Sequence, residues 1–391
     1  MESVSAIPLL MGLLIFFASL ISLRLGLSVA IVEVLLGALM GNLGFVHTEP
    51  WMLYLATFGG IILTFLAGTE IDTGLMREKY RESFLMGFFS FLCPFLLVFW
   101  YTYFIDGWTL QAALIAGTAL STTSLAVVYS VLVESNLSRH EFGKIIMAST
   151  FVTDMLTAIA LSVLFLKPTV YTLLFVVISV AVIVITIRYS HLLFEHPMIR
   201  NKVIEPEVKF VFLLLLIFMF FAGLGDGQAV LPAFVLGLFM GKTFTAGQGY
   251  VEMAGMKAMK MKLRTVAYVI ITPVFFIVSG LNVSVPLITS AAGLFAMLLI
   301  LKLIGKFAGV YELSKRYCHK AEMYTTLLMS TGLTFGTIAS VFGLQQGYIT
   351  QTQYSVLVGV VIATAVIPTI IAEKWFRPVH AEDMGGMEPI R

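Results

Sequence analysis

The chain has 391 residues, of which 59% are hydrophobic and only 12% charged. A soluble domain carries about 25% charged residues, so a water-exposed globular fold is excluded. The formal net charge of +2, from 24 basic and 22 acidic side chains, says little about partners; no nucleic acid or soluble partner is expected, and what matters is where the positive charges fall.

A bilayer-crossing helix needs about 20 apolar residues. In chain order, about thirteen segments qualify: 4–22, 26–44, 52–72, 83–104, 108–131, 142–166, 169–188, 207–223, 228–241, 266–281, 287–311, 322–343 and 352–372. The expected fold class is an all-α polytopic membrane protein with one transmembrane domain over residues 1–377 and lipid as its main surroundings. Glu2 stands where a cleaved signal would carry basic residues, so the first segment reads as a span. The stretch 245–264, TAGQGYVEMAGMKAMKMKLR, is short, basic and Met-rich. It reads as an amphipathic helix at the interface. Residues 378–391 read as a short cytoplasmic tail.

Alternate loops carry the cations: Arg24, then Arg77 to Arg81, Arg139 and Lys144, Arg188 to Lys209, Lys242 to Arg264, and Lys315 to Lys320. The loops between are nearly free of them, Lys167 being the main exception. By the positive-inside rule the first set is cytoplasmic. The N-terminus is then outside and the C-terminus, with Lys374 and Arg377, inside, as an odd span count requires. Cys93 lies in an apolar span and Cys318 in a basic loop, so no disulfide is expected.

Two spans have polar, helix-breaking centres. One contains GTALSTTS (117–124) and the other STGLTFGT (330–337). Irregular backbone at membrane depth is tolerated only where it lines a cavity or is buried in protein. Small and hydroxyl residues also allow plain close packing of helices. Two interrupted spans at matching places in two halves instead point to an inverted-repeat transporter with crossing helices.

Asp154 sits in ASTFVTDMLTAIALSVLF with no other charge nearby. A carboxylate at the centre of a span costs about 2.5–3.5 kcal/mol on insertion scales, so a functional role is expected. Thr153 precedes it, and Thr150 and Thr157 lie one turn away on either side. Carboxylate and hydroxyl oxygens form a hard-cation site, and Asp154 is the candidate ligand for a monovalent cation. Thr122, Thr123, Ser124, Thr331 and Thr334 are candidate helpers in the interrupted segments. Lys302 and Lys306 share one face of their span at i, i+4 spacing and are candidate supporting charges. Glu33 lies within the second span; Glu70 and Asp72 end the third. These three are assigned structural or entrance roles.

Gly223-Leu224-Gly225-Asp226 matches the GxGD pattern of intramembrane aspartyl proteases. Asp226, however, falls at an expected external turn, so no enzyme is expected. His191 and His196 lack metal-ligand spacing. No phosphate loop stands out, and no cofactor is expected beyond transported ions.

In their order along the chain, four strings resemble the monovalent cation:proton antiporter superfamily on its CPA2 side: FLAGTEIDTGLMR (65–77), ALSTTSLAVV (119–128), TPVFFIVSGLNV (272–283) and GKFAG (305–309). The resemblance runs from about residue 5 to 375. It implies a homodimer in the plasma membrane, with a core domain that moves against a dimerisation domain. It also implies exchange of Na⁺, K⁺ or Li⁺ for H⁺ at one buried carboxylate. By this resemblance Lys306 rather than Lys302 is the family's lysine. Family members carry Asp-Asp, Asn-Asp or Gln-Asp on the ion-binding helix; here the pair is Thr153-Asp154. With one carboxylate, one proton per cation and electroneutral exchange is the simpler expectation. A channel, or an ion sensor of the same fold without coupled exchange, is the alternative.

Overall fold

The computed structural model describes residues 6–70, 79–135, 137–138, 140–165, 169–195, 205–224, 228–243 and 261–378. Asp72, Asp226, most of the 245–264 stretch and the tail beyond residue 378 lie outside the described residues. Among those described, every element is helical. In chain order they are α1 (Ile7–Leu25), α2 (Val29–Asn42), α3 (Pro50–Thr69), α4 (Tyr80–Ile105), α5 (Leu110–Ser121), α6 (Leu125–Glu134), α7 (Glu141–Val163) and α8 (Val170–Glu195). They continue with α9 (Pro206–Leu224), α10 (Val230–Thr243), α11 (Met261–Leu281), α12 (Val285–Ser290), α13 (Ala292–Tyr317), α14 (Glu322–Met329), α15 (Thr334–Gln345) and α16 (Gln351–Trp375).

Eleven stretches of described residues are long and apolar enough to cross a bilayer, counting α5 with α6 and α14 with α15 as one stretch each. Two further apolar helices, at Val29–Asn42 and Val230–Met240, are shorter. Each of these overlaps one of the apolar segments read from the sequence, with bounds shifted by a few residues. Helix α4 ends on a π-helical turn at Tyr101–Ile105, and α11 contains one in its interior at Ala267–Ile271.

The chain divides into two compact units. The first comprises residues 1–17, 46–71 and 158–279. Its core joins Phe58, Ile62, Phe65 and Leu66 of α3 to Leu215 and Phe218 of α9 and to Ala233 and Leu236 of α10. Helix α8 exposes Val170, Leu173, Val177, Val180 and Val184, a distribution suited to lipid rather than water. Close approach of α3 and α10 is made possible by a reciprocal pair of glycines. A Cβ on Gly68 would collide with the Phe234 carbonyl, and one on Gly237 with the Phe65 carbonyl. At the polar end of this unit Arg264 pairs with Glu70 at 3.4 Å and Lys262 with Glu205 at 2.6 Å. These are half-exposed pairs, each worth roughly 0–1 kcal/mol.

The second unit comprises residues 18–45, 72–157 and 280–391. Here α13 lies against α4: a Cβ on Gly305 would fall 2.5 Å from the Pro94 Cα, and one on Gly309 would meet the Phe89 carbonyl. Helix α7 also approaches α4, at Gly87, where a Cβ would sit 2.5 Å from that of Val152 and 2.6 Å from the Ser149 carbonyl. Helix α16 starts on a capping box, Thr350 with Gln353, which satisfies first-turn donors. Near its end Glu373 accepts from the hydroxyl of the buried Tyr324 on α14 at 2.6 Å, while Arg377 donates to the Ser135 carbonyl at 3.4 Å, just past α6. The far ends of α6 and α14 are thus both tied to the last helix.

Neither Cys93 nor Cys318 is disulfide-bonded. Burial pushes the Cys318 thiol up to about 12, so it stays an unreactive thiol at neutral pH.

The α3–α10 glycines give a direct test of packing. Gly237→Val should destabilise the detergent-solubilised protein by at least the ~1–3 kcal/mol of ordinary overpacking, read as a lowered melting temperature. Gly12→Ala, where an added Cβ has open space, should leave melting unchanged or slightly raised.

Candidate functional site

The candidate site lies wholly within the second unit and is built around two breaks. Helix α5 stops at Ser121, three residues follow in non-helical conformation, and α6 begins at Leu125. Helix α14 stops at Met329, and α15 begins at Thr334. Thr122 turns the chain with φ −66° and ψ 155°, and Leu333 does so with φ −141° and ψ −71°. Broken helices expose backbone groups that an intact helix would pair internally.

The two breaks satisfy one another. The Ser124 N–H donates to the Thr331 carbonyl at 3.1 Å, and the Thr123 hydroxyl donates to the Met329 carbonyl at 2.9 Å. Thr122 and Thr331 turn their hydroxyls back to Ala119 and Leu328 carbonyls at 3.2 and 2.7 Å. The hydroxyls read from the sequence as ion helpers therefore also serve as backbone partners. Ser124 differs: its buried hydroxyl has no hydrogen-bond partner among the described residues. Thr334, the first residue of α15, is half-buried.

Lys306 is fully buried and aims its ammonium at the first break. It donates to the Ser121 carbonyl at 2.7 Å, to Thr123 Oγ1 at 2.9 Å and to Ser90 Oγ at 3.0 Å. Its three N–H donors thus have three acceptors. One is the last carbonyl of α5, where the helix dipole leaves about half a negative charge. Lys302, one turn earlier and also fully buried, donates to Thr364 Oγ1 on α16 at 2.8 Å.

Asp154 is buried on α7, with 3% of its surface exposed. Thr150 and Thr157 share its face and are fully buried. The Thr150 hydroxyl donates to the Ile146 carbonyl and lies 3.7 Å from the Met329 sulfur. Met329 is also the residue whose carbonyl receives Thr123, so the acidic face of α7 abuts the crossing. Asp154 is among the charged neighbours of Lys306. Thr153 donates its hydroxyl to the Thr150 carbonyl at 2.7 Å and accepts nothing further from Thr157, which bonds the Thr153 carbonyl at 2.8 Å. The Thr153 hydroxyl oxygen keeps its lone pairs and can still serve as an acceptor.

The other candidates stand apart. Glu33 is buried on α2 but makes no hydrogen bond or ion pair to any of these residues. Glu70 belongs to the first unit, in its pair with Arg264. No group of His, Cys, Asp or Glu suited to a multidentate metal occurs among the described residues. Sequence reasoning missed Ser90, Met329 and Thr364. Ser90 and Thr364 were visible only as lone hydroxyl residues in apolar runs, a weak signal, and Met329 carried none.

The model of the family described as sodium/hydrogen exchanger, transmembrane, matches residues 12–376. The Na⁺/H⁺ antiporter of Enterococcus hirae is 25% identical over 92% of this chain and 95% of its own length. The Na⁺/H⁺-K⁺ antiporter GerN of Bacillus cereus is 21% identical over 89% of each chain. The putative Na⁺/H⁺ antiporter YjbQ of Bacillus subtilis is 23% identical over 98% of this chain, which spans 64% of that relative's length. Among solved structures, the sodium proton antiporter MjNhaP1 from Methanocaldococcus jannaschii has the same fold. Its TM-score is 0.66 at 14% identity, over 93% of this chain and 95% of that one. The family match runs through both broken helices, Asp154 and both buried lysines: the chain belongs to the transmembrane sodium/hydrogen exchanger family.

Proposed function

We propose that this chain is a secondary antiporter that exchanges a monovalent cation for H⁺ by alternating access at Asp154. Na⁺ is the first choice of cargo, with K⁺ or Li⁺ as others; the names of the relatives, Na⁺/H⁺ and Na⁺/H⁺-K⁺ antiporters, support that choice. The observation that carries the reading is the meeting of one buried carboxylate with two mutually bonded helix breaks. A carboxylate in low dielectric is held best with a proton or a cation bound, and the two cannot occupy it together. Thr153, Ser124 and the backbone from Thr331 to Thr334 supply oxygens to a cation as it loses water. Lys306 offsets the carboxy-terminal end of α5.

With Thr153 in place of a second acid, one proton leaves for each cation that binds, so the exchange is electroneutral. The protein acts as a homodimer in the plasma membrane, with its N-terminus outside and its C-terminus in the cytoplasm. The basic loops support that orientation.

The test is exchange in proteoliposomes with a pH-sensitive dye, offering Na⁺, K⁺ and Li⁺ in turn. Asp154→Asn should reduce dye response to that of empty liposomes, and exchange at the native rate would overturn the mechanism. An imposed K⁺ diffusion potential should leave the native Na⁺ exchange rate unaltered. Thr153→Asp should make that rate potential-dependent by adding a second titrating acid. The absent first acid favours one other reading, an ion sensor, which would bind Na⁺ by calorimetry yet show no flux.

A further inference from the structure

The two buried lysines are one turn apart on α13, yet their surroundings differ. Lys306 has an acceptor for each of its three N–H donors, and one of those is a helix-terminal carbonyl. Lys302 has a single acceptor among the described residues, Thr364 Oγ1, and that hydroxyl already donates to the Val360 and Val361 carbonyls. Lys302 cannot reach water by extending its stem, because it is fully buried.

What lies against its amine is the second break. A Cβ placed on Gly332 would fall 2.5 Å from Lys302 Nζ, 3.1 Å from Thr122 Oγ1 and 3.2 Å from the Thr122 carbonyl. Glycine at 332 therefore lets the amine, the second break and the first break meet without an intervening side chain. Lys302 is near the cation-handling backbone but is not bonded to it.

The charged groups around this amine are few. Lys306 is its neighbour on the same helix, and Lys306 in turn feels Asp154 on α7 and Cys93 on α4. Helix α5, which ends beside the first break, carries no titratable side chain. On α14 and α16, Tyr324 and Glu373 bond each other. No carboxylate pairs with Lys302 among the described residues.

We propose that Lys302 is a second working amine of the exchanger: its charge stands under the second break and opposes the cation there, while Lys306 holds the crossing together. Lys302 thereby sets how tightly cation is held and how readily it leaves. This inference rests on the exchanger reading, because it needs a cation at the crossing to oppose. A structural lysine behaves in the opposite sense, since its loss loosens the site and weakens cation binding.

The experiment measures the half-saturating Na⁺ concentration for exchange in proteoliposomes. Lys302→Met keeps the length of the side chain and removes its charge. It should lower that concentration by about one to two orders of magnitude, the scale expected for removing a unit charge about 8 Å away at an effective dielectric of about 20. Gly332→Ala keeps the charge but pushes Nζ from the break, and should lower it by a smaller factor. In the Lys302→Met background, Gly332→Ala should add less than it does alone, because the amine it displaces is gone. An unchanged or raised half-saturating concentration in Lys302→Met overturns the assignment, and so does a Gly332→Ala effect of equal size in both backgrounds. Gly332→Ala carries the test alone if Lys302→Met does not reach the membrane. Asp154→Asn, run in parallel, separates the two readings. If it still exchanges, the exchanger mechanism fails. If it is silent while Lys302→Met keeps native affinity, only the assignment of Lys302 fails.

Discussion

Backbone that leaves helical conformation inside a bilayer must find partners within the protein, because the surrounding hydrocarbon offers none. Among the described residues two such stretches meet, and each is the other's partner. Ser124 N–H on the Thr331 carbonyl and the Thr123 hydroxyl on the Met329 carbonyl make the breaks mutually dependent. Straighten one helix and the other is left with an unpaired donor or acceptor at membrane depth. An orphaned buried group costs about 1–3 kcal/mol, so the two breaks persist together or not at all. This mutual bond explains why both segments are rich in Ser, Thr and Gly: hydroxyls supply local acceptors and donors, and small residues admit the close approach.

A crossing of this kind needs rigid surroundings. Gly305 and Gly309 bring α13 onto α4, and Gly87 brings α4 onto α7. Through these contacts one helix, α4, is packed against both the lysine-bearing and the acid-bearing helix. Ser90 on that same helix receives Lys306. Packing and electrostatics are therefore not separable here. The glycines set the distance at which a buried ammonium reaches the end of α5, and the ammonium makes that end tolerable. Burying a charge is costly unless it is paired and hydrogen-bonded, and Lys306 meets the second condition with three acceptors.

Much of this was legible in the residues. Asp154 stood out because no other charge near it in the sequence explains it, and the structure buries it. The breaks were legible too, though not their extent. The run from Gly117 to Leu120 looks as frangible as Thr122 to Ser124, yet it stays helical to Ser121. Gly and Ser tolerate a helix when tertiary packing supports it. Which of the two equally spaced lysines reaches the first break depends on where α5 ends, and spacing on α13 alone does not contain that. Ser90, Met329 and Thr364 escaped notice for the same reason. Their parts are defined by partners far away in the chain, and in their own spans they read as ordinary packing residues.

The balance of charge at the crossing is what gives Thr153 its weight. Four half-helix ends meet there, each carrying about half a unit of charge. Their sum is zero, but their positions differ. Lys306 takes the carboxy-terminal end of α5 and consumes a negative end in doing so. What remains is the carboxy-terminal end of α14, the amino-terminal ends of α6 and α15, and Lys302 against Gly332, a set still tilted toward positive. A second acid beside Asp154 would cancel that tilt. Thr153 instead contributes an uncharged hydroxyl already bonded to the Thr150 carbonyl. On the proposed reading a cation competes with this surplus for one carboxylate, which favours weak, reversible occupancy. For a carrier that must release its cargo on every turnover, weak occupancy is an advantage, because binding far below the working concentration leaves the loaded state too stable to empty.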